Sequence, residues 1–265
     1  MAKFRLDTWL TEHGLAENRS RAQALIIAGK VQVDGQVVTK PGFQVTAEAS
    51  VIIEQDLPYV SRGGQKLAAA LDEFRINPAT LVCADVGAST GGFTDVLLQR
   101  GAAKVYAVDV GYGQLAWKLR QDERVAVMER TNARYLEALP ELVHLAAIDV
   151  SFISLKLILP VVQGWLDSPG IIVALIKPQF EAGRRQVGKG GVVRELSVQR
   201  QVLETILFFA RERALALLGL IPSPLLGPAG NHEFLVGWGW RSPGLGLELE
   251  PAIESSLERV PAPLA

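Results

Sequence analysis

The chain has 265 residues, with 27 Lys plus Arg against 28 Asp plus Glu and a formal net charge of -1. Hydrophobic residues make up 49%, enough to bury the core of one large domain with a smaller companion. Near-neutrality excludes a global basic field, so any nucleic-acid contact must come from local patches. The single cysteine, Cys83, excludes an intramolecular disulfide framework and a multi-cysteine metal site, and no metal is expected.

In chain order, "MAKFRLDTWLTEHGL" carries charges among its apolar residues and does not read as a signal peptide. Leu6, Trp9 and Leu10 share one helical face, with Gly14 as a stop. A second helix is predicted over "SRAQALIIAG", with Ser20 as N-cap and Gly29 as its C-terminal glycine. "VQVDGQVV" predicts a hairpin around Asp34-Gly35, and "VTAEASVIIE" further strand. Residues 1–58 thus read as a small α+β module. Arg5-Leu6-Asp7, Gly14-Leu15, "SRAQALIIAGKVQVDGQVV" and Lys40-Pro41 resemble the small RNA-binding domain of S-four type. That resemblance implies RNA against the start of the second helix and the hairpin, with Arg5, Arg19, Arg21, Lys30 and Lys40 as basic contacts.

Residues 59–65, with Arg62 as a further RNA contact, are expected to form a linker. A helix then runs from near Gly64 to Phe74. Strands over "LVCADVG", "KVYAVDVG", "VAVMER", "HLAAIDVS" and "GIIVALIKP" alternate with helices over "GFTDVLLQRG", "QLAWKLRQ", "LKLILPVVQGWL" and "SVQRQVLETILFFARER". "ALLGLIP" and "EFLVGWGW" follow as two strands joined by a loop. This is an α/β, Rossmann-like order over 66–242, with a mostly parallel sheet and an antiparallel last strand. A Pro/Gly-rich tail, expected to be partly disordered, occupies 243–265. No apolar run reaches the ~18 residues of a membrane span. "LALLGLIPSPLLG" is cut by Pro222 and Pro224, so a soluble, cytoplasmic protein without a membrane partner is expected.

In such sheets the ligand sits beyond the carboxyl ends of the strands, where "DVGASTGGF" lies. Its spacing is neither G-x-G-x-x-G nor that of a P-loop. Asp85 is an acid where a phosphate would be repelled, and it suits a cationic group. Asp109 ends the next strand, where an acid accepts bonds from ribose hydroxyls. A ribose, no phosphate and a cationic amino-acid end describe S-adenosylmethionine. The expected cofactor residues are Asp85, Gly87, Ala88, Ser89, Gly91, Gly92, Phe93, Asp109, Asn132 and Asp149. The Pro-Pro-aromatic turn of amine methyltransferases is absent, and Cys83 falls mid-strand, where a core role is expected.

Lys66, Asp149, Lys177 and Glu233 match the Lys-Asp-Lys-Glu tetrad of FtsJ-like ribose 2′-O-methyltransferases. "VSRGGQKL", "DVGASTGGFTDVLL", "AIDVSFISL", "LIKPQFEAGR", "GKGGVVR" and "GNHEFL" resemble the TlyA family in particular, from about residue 3 to Trp240. The resemblance implies 2′-O-methylation of cytidine in small- or large-subunit ribosomal RNA, with ribosomal RNA or subunits as partner. It also implies that Lys177 is the base, Lys66 holds the 2′-oxygen, and Asp149 and Glu233 orient the lysines. The loop "EAGRRQVGKGGVVRE" is expected to be a mobile basic flap carrying Arg184, Arg185, Lys189 and Arg194. The alternatives are a non-catalytic RNA-binding assembly factor on the same scaffold, and a haemolysin-type membrane-active protein.

Overall fold

The computed structural model describes residues 3–53, 58–241 and 246–260. Residues 1–2 and 54–57 of the expected N-terminal module, 242 of the expected larger domain, and 243–245 and 261–265 of the expected tail lie outside the described residues. The chain divides into two compact units, Met1–Leu57 and Pro58–Ala265.

In the first unit, β1 (Lys3–Arg5) leads into α1 (Leu6–Glu12) and α2 (Arg19–Ile27). The short strands β2 (Val31–Val33), β3 (Gln36–Val38), β4 (Gln44–Thr46) and β5 (Val51–Ile53) follow. β1 pairs with β4, while β3, β2 and β5 form a second antiparallel sheet. Leu6, Trp9 and Leu10 of α1 pack with Ala22, Leu25 and Ile26 of α2 over Val31, Val33, Val38 and Val45. The β2–β3 turn is the two-residue Asp34-Gly35, with φ of 48° and 79°, the positive pair a type I′ turn requires. The α2 cap differs from expectation. Asn18, not Ser20, is the N-cap, because its side-chain oxygen accepts the Arg21 amide at 2.9 Å and the helix starts at Arg19.

The second unit opens with α3 (Gly63–Glu73), so the helix begins inside the segment expected as linker. Then come β6 (Val82–Val86), α4 (Gly92–Gln99), β7 (Lys104–Val108), α5 (Trp117–Arg120) and β8 (Val125–Met128). They are followed by β9 (Val143–Ile148), α6 (Leu155–Trp165), β10 (Leu166–Ile176) and α7 (Pro178–Glu181). α8 (Leu196–Glu212), β11 (Leu215–Pro222), β12 (Phe234–Trp240) and α9 (Leu249–Glu258) complete it. The sheet order is β11-β12-β10-β9-β6-β7-β8; β10, β9, β6, β7 and β8 are parallel, and β12 is antiparallel to both its neighbours.

Strand alternation splits the core between the two sheet faces. Cys83, Val105 and Leu145 meet α3 and α4 on one face, while Ala84, Tyr106 and Ala146 belong to the core under α6 and α8 on the other. Burial pushes the Cys83 thiol up to about 12, which leaves it inert as a nucleophile. The expected disordered tail is corrected in part: 249–258 is helical. Leu249, Ile253 and Leu257 recur every fourth residue and bury against the α6–α8 core, and Pro251 falls in the first turn, where proline is tolerated.

Candidate active site

Because β6, β7, β9 and β10 are parallel, their last residues hand over to Gly87, Asp109, Asp149 and Lys177 along one edge of the sheet. β12 runs the other way, so its start brings Glu233 to the same edge, with Phe234 opposite Ile176. A cleft of about 330 Å³ opens there, lined among others by Gly87, Ser89, Asp109, Asn132, Asp149 and Phe152. A smaller pocket of about 120 Å³ shares Gly87, Ser89 and Asp149 with it and reaches Asp85, Ala88, Gly92 and Phe93.

Asp85 is fully buried, and its Oδ2 accepts both the backbone amide (2.8 Å) and hydroxyl (2.7 Å) of Thr94. Its Oδ1 is buried without a hydrogen-bond partner. Burial pushes this carboxyl up to about 7, against the opposing pull of the Thr94 bonds and with a smaller push from Asp149 and Asp109. An unpartnered buried carboxylate oxygen facing a pocket fits a ligand that brings a positively charged donor. Asp109 accepts the Ser89 amide at 2.8 Å and the Gly111 amide at 2.6 Å, one on each oxygen. These bonds fix the carboxylate, and each oxygen keeps a lone pair for a diol. Asn132 caps the short helical turn at Ala133–Tyr135 through the Arg134 amide.

Gly87 has φ 89°, and a Cβ there would lie 2.4 Å from the Asp149 carbonyl oxygen. Gly87→Ala should therefore displace Asp149, adding about 1–2 kcal/mol of backbone strain to the clash. A lower melting temperature and weakened donor binding by calorimetry are the expected outcome. Gly91, expected among the cofactor residues, lines neither pocket; it packs against Leu115 and Leu119 at the α4 N-terminus.

Lys66 Nζ donates to Glu233 Oε2 at 2.6 Å, a pair whose side chains are 11% and 1% exposed. Lys177 Nζ lies 2.6 Å from Asp149 Oδ1 and donates to Ser151 Oγ at 2.9 Å. Gln179 donates to Glu233 Oε1 at 3.2 Å, so the segment after Lys177 touches both pairs. The site thus offers two lysines, each held by a carboxylate, at the sheet edge that bears the cleft; of these four residues only Asp149 lines either pocket. Phe152, absent from the expected set, is 90% exposed with φ 63° and packs its ring against Phe180 at 4.8 Å. Its signal in the sequence is slight, an aromatic residue three positions after a strand-end acid.

The expected RNA contacts are less uniform. Arg5 (Nε, Nη2), Arg19 (Nε) and Gln23 all donate to the buried carboxylate of Asp7, which is held well below the usual range chiefly by Arg5. Two expected cations therefore share one anion. Arg21, Lys40, Arg62, Arg184, Arg185, Lys189 and Arg194 are exposed, and Lys30 is half-buried. The basic loop is no free flap at its far end. Val193 is buried, its amide donates to Asn231 Oδ1 at 2.8 Å, and Asn231 Nδ2 donates to Gly191 O at 2.9 Å.

A model of FtsJ-like methyltransferases matches residues 59–240, and an S4 domain model matches residues 4–51. The chain belongs to the FtsJ-like methyltransferase family. It is 48% identical over 238 residues to the 16S/23S rRNA (cytidine-2′-O)-methyltransferase TlyA of Mycobacterium tuberculosis, covering 88% of this chain and 89% of that one. It is 41% identical over 235 residues to Hemolysin A of Brachyspira hyodysenteriae, covering 88% and 98%. A solved structure from Streptococcus thermophilus, described as a candidate haemolysin, superposes with a TM-score of 0.75 at 44% identity, covering 98% and 96%. Within this FtsJ-like chain, no helix among the described residues is long and apolar enough to cross a membrane.

Proposed function

We propose that the protein transfers the methyl group of S-adenosylmethionine to the ribose 2′-oxygen of a cytidine in ribosomal RNA, in the cytoplasm. The observation that carries the reading is that two Lys–carboxylate pairs, bridged by Gln179, stand at the sheet edge that bears Asp85 and Asp109, with Asp149 of one pair lining both pockets. When bound, the donor supplies an electrophilic methyl group on a sulfonium. Asp85, with its unpartnered Oδ1, would hold its ammonium, and Asp109 would hold its ribose hydroxyls. Asn132 lines the same cleft as Asp109 and would face the adenine.

A ribose hydroxyl is a weak acid and must lose its proton as it attacks. Lys177, at the end of β10, accepts that proton at Nζ, with Asp149 and Ser151 aiming the amine. Lys66, fixed by Glu233, holds the 2′-oxygen. Positioning two bound reactants supplies a further large part of the rate. Phe152, an exposed aromatic face beside Lys177, offers a stacking surface to an unstacked base. The S4 module and the basic loop hold RNA by its phosphates.

The direct test is mass spectrometry of ribosomal RNA incubated with purified protein and labelled donor. A methylated cytidine ribose is expected, and label on a base or no label would refute the reading. The phosphate role of the loop has its own test. Replacing Arg184 and Arg185 together by Gln should reduce the slope of log K against log salt for RNA binding by about 1.4, the value for two single-strand phosphate contacts. Filter binding across a salt series measures it.

A further inference from the structure

We infer that Glu181 is a positioning residue for the methyl-transfer site: it fastens the rim segment 149–155 to the rim segment 177–181 and thereby sets where Phe152 and Lys177 stand. The inference rests on the methyl-transfer reading above and adds a residue outside its tetrad.

The two segments follow neighbouring parallel strands, β9 and β10. They are joined by a series of contacts in step along both chains. Asp149 and Ser151 meet Lys177, Phe152 packs on Phe180, and Ser154 and Leu155 meet Glu181. Glu181 closes the series: its Oε2 accepts the Ser154 hydroxyl at 2.5 Å and its Oε1 the Leu155 amide at 2.7 Å. Without that closure the segment would keep its contacts at Ser151 and Phe152 and the core packing of Leu155, but would lose its side-chain tie to the end of the segment after β10.

Phe152 explains why closure matters. A bulky residue at positive φ is strained, and such a conformation persists only where its surroundings impose it. Here the ring is also 90% exposed, so burial of Phe152 itself does not impose it. The ties on either side, Ser151 to Lys177 and Ser154 to Glu181, do so together with the packing of Val150, Ile153 and Leu155 on the core. Nor is Glu181 an ordinary helix cap. Ser154 already caps α6 through the Lys156 amide, and burial pushes the Glu181 carboxyl above its ordinary range. A solvent-exposed cap would incur no such desolvation.

The test is steady-state kinetics of the full chain with RNA and S-adenosylmethionine, comparing Glu181→Ala, Glu181→Gln and Ser154→Ala. Glu181→Ala should lower kcat tenfold or more while RNA affinity stays within threefold. Glu181→Gln should recover kcat to within threefold of wild type, because its amide oxygen still accepts the Leu155 amide and its NH2 can donate to Ser154. Ser154→Ala, which removes one bond of the tie from the other side, should fall between. A Glu181→Ala kcat within twofold of wild type overturns the inference, as does a Gln variant no better than Ala. If Glu181→Ala fails to fold, Ser154→Asp decides, because it keeps an acceptor for the Lys156 amide but cannot donate to Glu181: kcat within twofold of wild type overturns the inference, and a lower kcat supports it. Wild-type protein that transfers no methyl group would overturn the parent reading instead, so the two failures are distinguishable.

Discussion

Lys177→Ala is expected to lower kcat by about 10²–10⁴-fold, the span of a lost general base, with the affinity for S-adenosylmethionine unchanged within about threefold. The informative partner is Lys177→Arg. Arginine keeps the positive charge beside Asp149 but does not give up its proton in a protein, so it cannot serve as a base. If Lys177 acts by accepting a proton, Arg should be as inactive as Ala. If it acts as a fixed cation, Arg should retain much of the rate, and the base assignment would be wrong. The structure poses the question sharply, because Nζ lies 2.6 Å from a carboxylate oxygen, the geometry of an ion pair. A base must be neutral when it accepts the proton, and the sulfonium of the bound donor is a positive charge that disfavours a second one nearby. Single-turnover rates with saturating donor and RNA separate this chemical step from binding and release. Lys66 is a poorer first target. It is buried against Glu233, and removing one partner of a buried pair leaves the other uncompensated, at about 3–5 kcal/mol.

Much of this site could be read before any coordinates. Apolar runs that end in an acid or a lysine mark buried parallel strands, and parallel strands deliver their ends to one edge. Asp85, Asp109, Asp149 and Lys177 were therefore legible as rim residues. Lys66 and Glu233 were not legible from pattern: they are 167 residues apart, and only resemblance to a family tetrad joined them. Contacts that depend on sheet order were out of reach altogether. That Ser151 and Glu181 brace the rim follows from β9 lying beside β10, which periodicity does not reveal. Gly91 shows the converse, since a glycine in the right motif serves packing against Leu115 and Leu119. The helix in the tail was missed because prolines and glycines punctuate the segment around it, while the four-residue spacing of Leu249, Ile253 and Leu257 carries the helix.

Donor binding should depend on pH through Asp85, and Asp85→Asn should remove that dependence. With its carboxyl pushed up to about 7 in the protein, half the molecules carry the neutral form at that pH and nearly all do at pH 5. The ammonium of the donor needs the ionised form, so Kd should rise about fiftyfold from pH 7 to pH 5, following the ionised fraction. Over this range the α-amino group of the donor, with an ordinary value near ~7.8, remains charged and does not confuse the reading. The same group predicts an opposite trend in stability. An aspartate in the unfolded chain ionises near ~3.9, below its value in the fold. The stability its neutral form contributes is fully present below about pH 4 and is lost as the pH rises through about 7. The protein without donor should thus lose melting temperature between pH 5 and pH 8, and the donor should restore more of it at pH 8 than at pH 5. Asp85→Asn keeps a neutral group at every pH. It should melt at least as high as wild type at pH 8 while binding the donor more than tenfold more weakly, with a flat pH profile between 5 and 7. Calorimetric titration and melting curves at the same pH values test both halves. A wild-type Kd that stays constant from pH 5 to pH 7 would place the ammonium elsewhere than on Asp85.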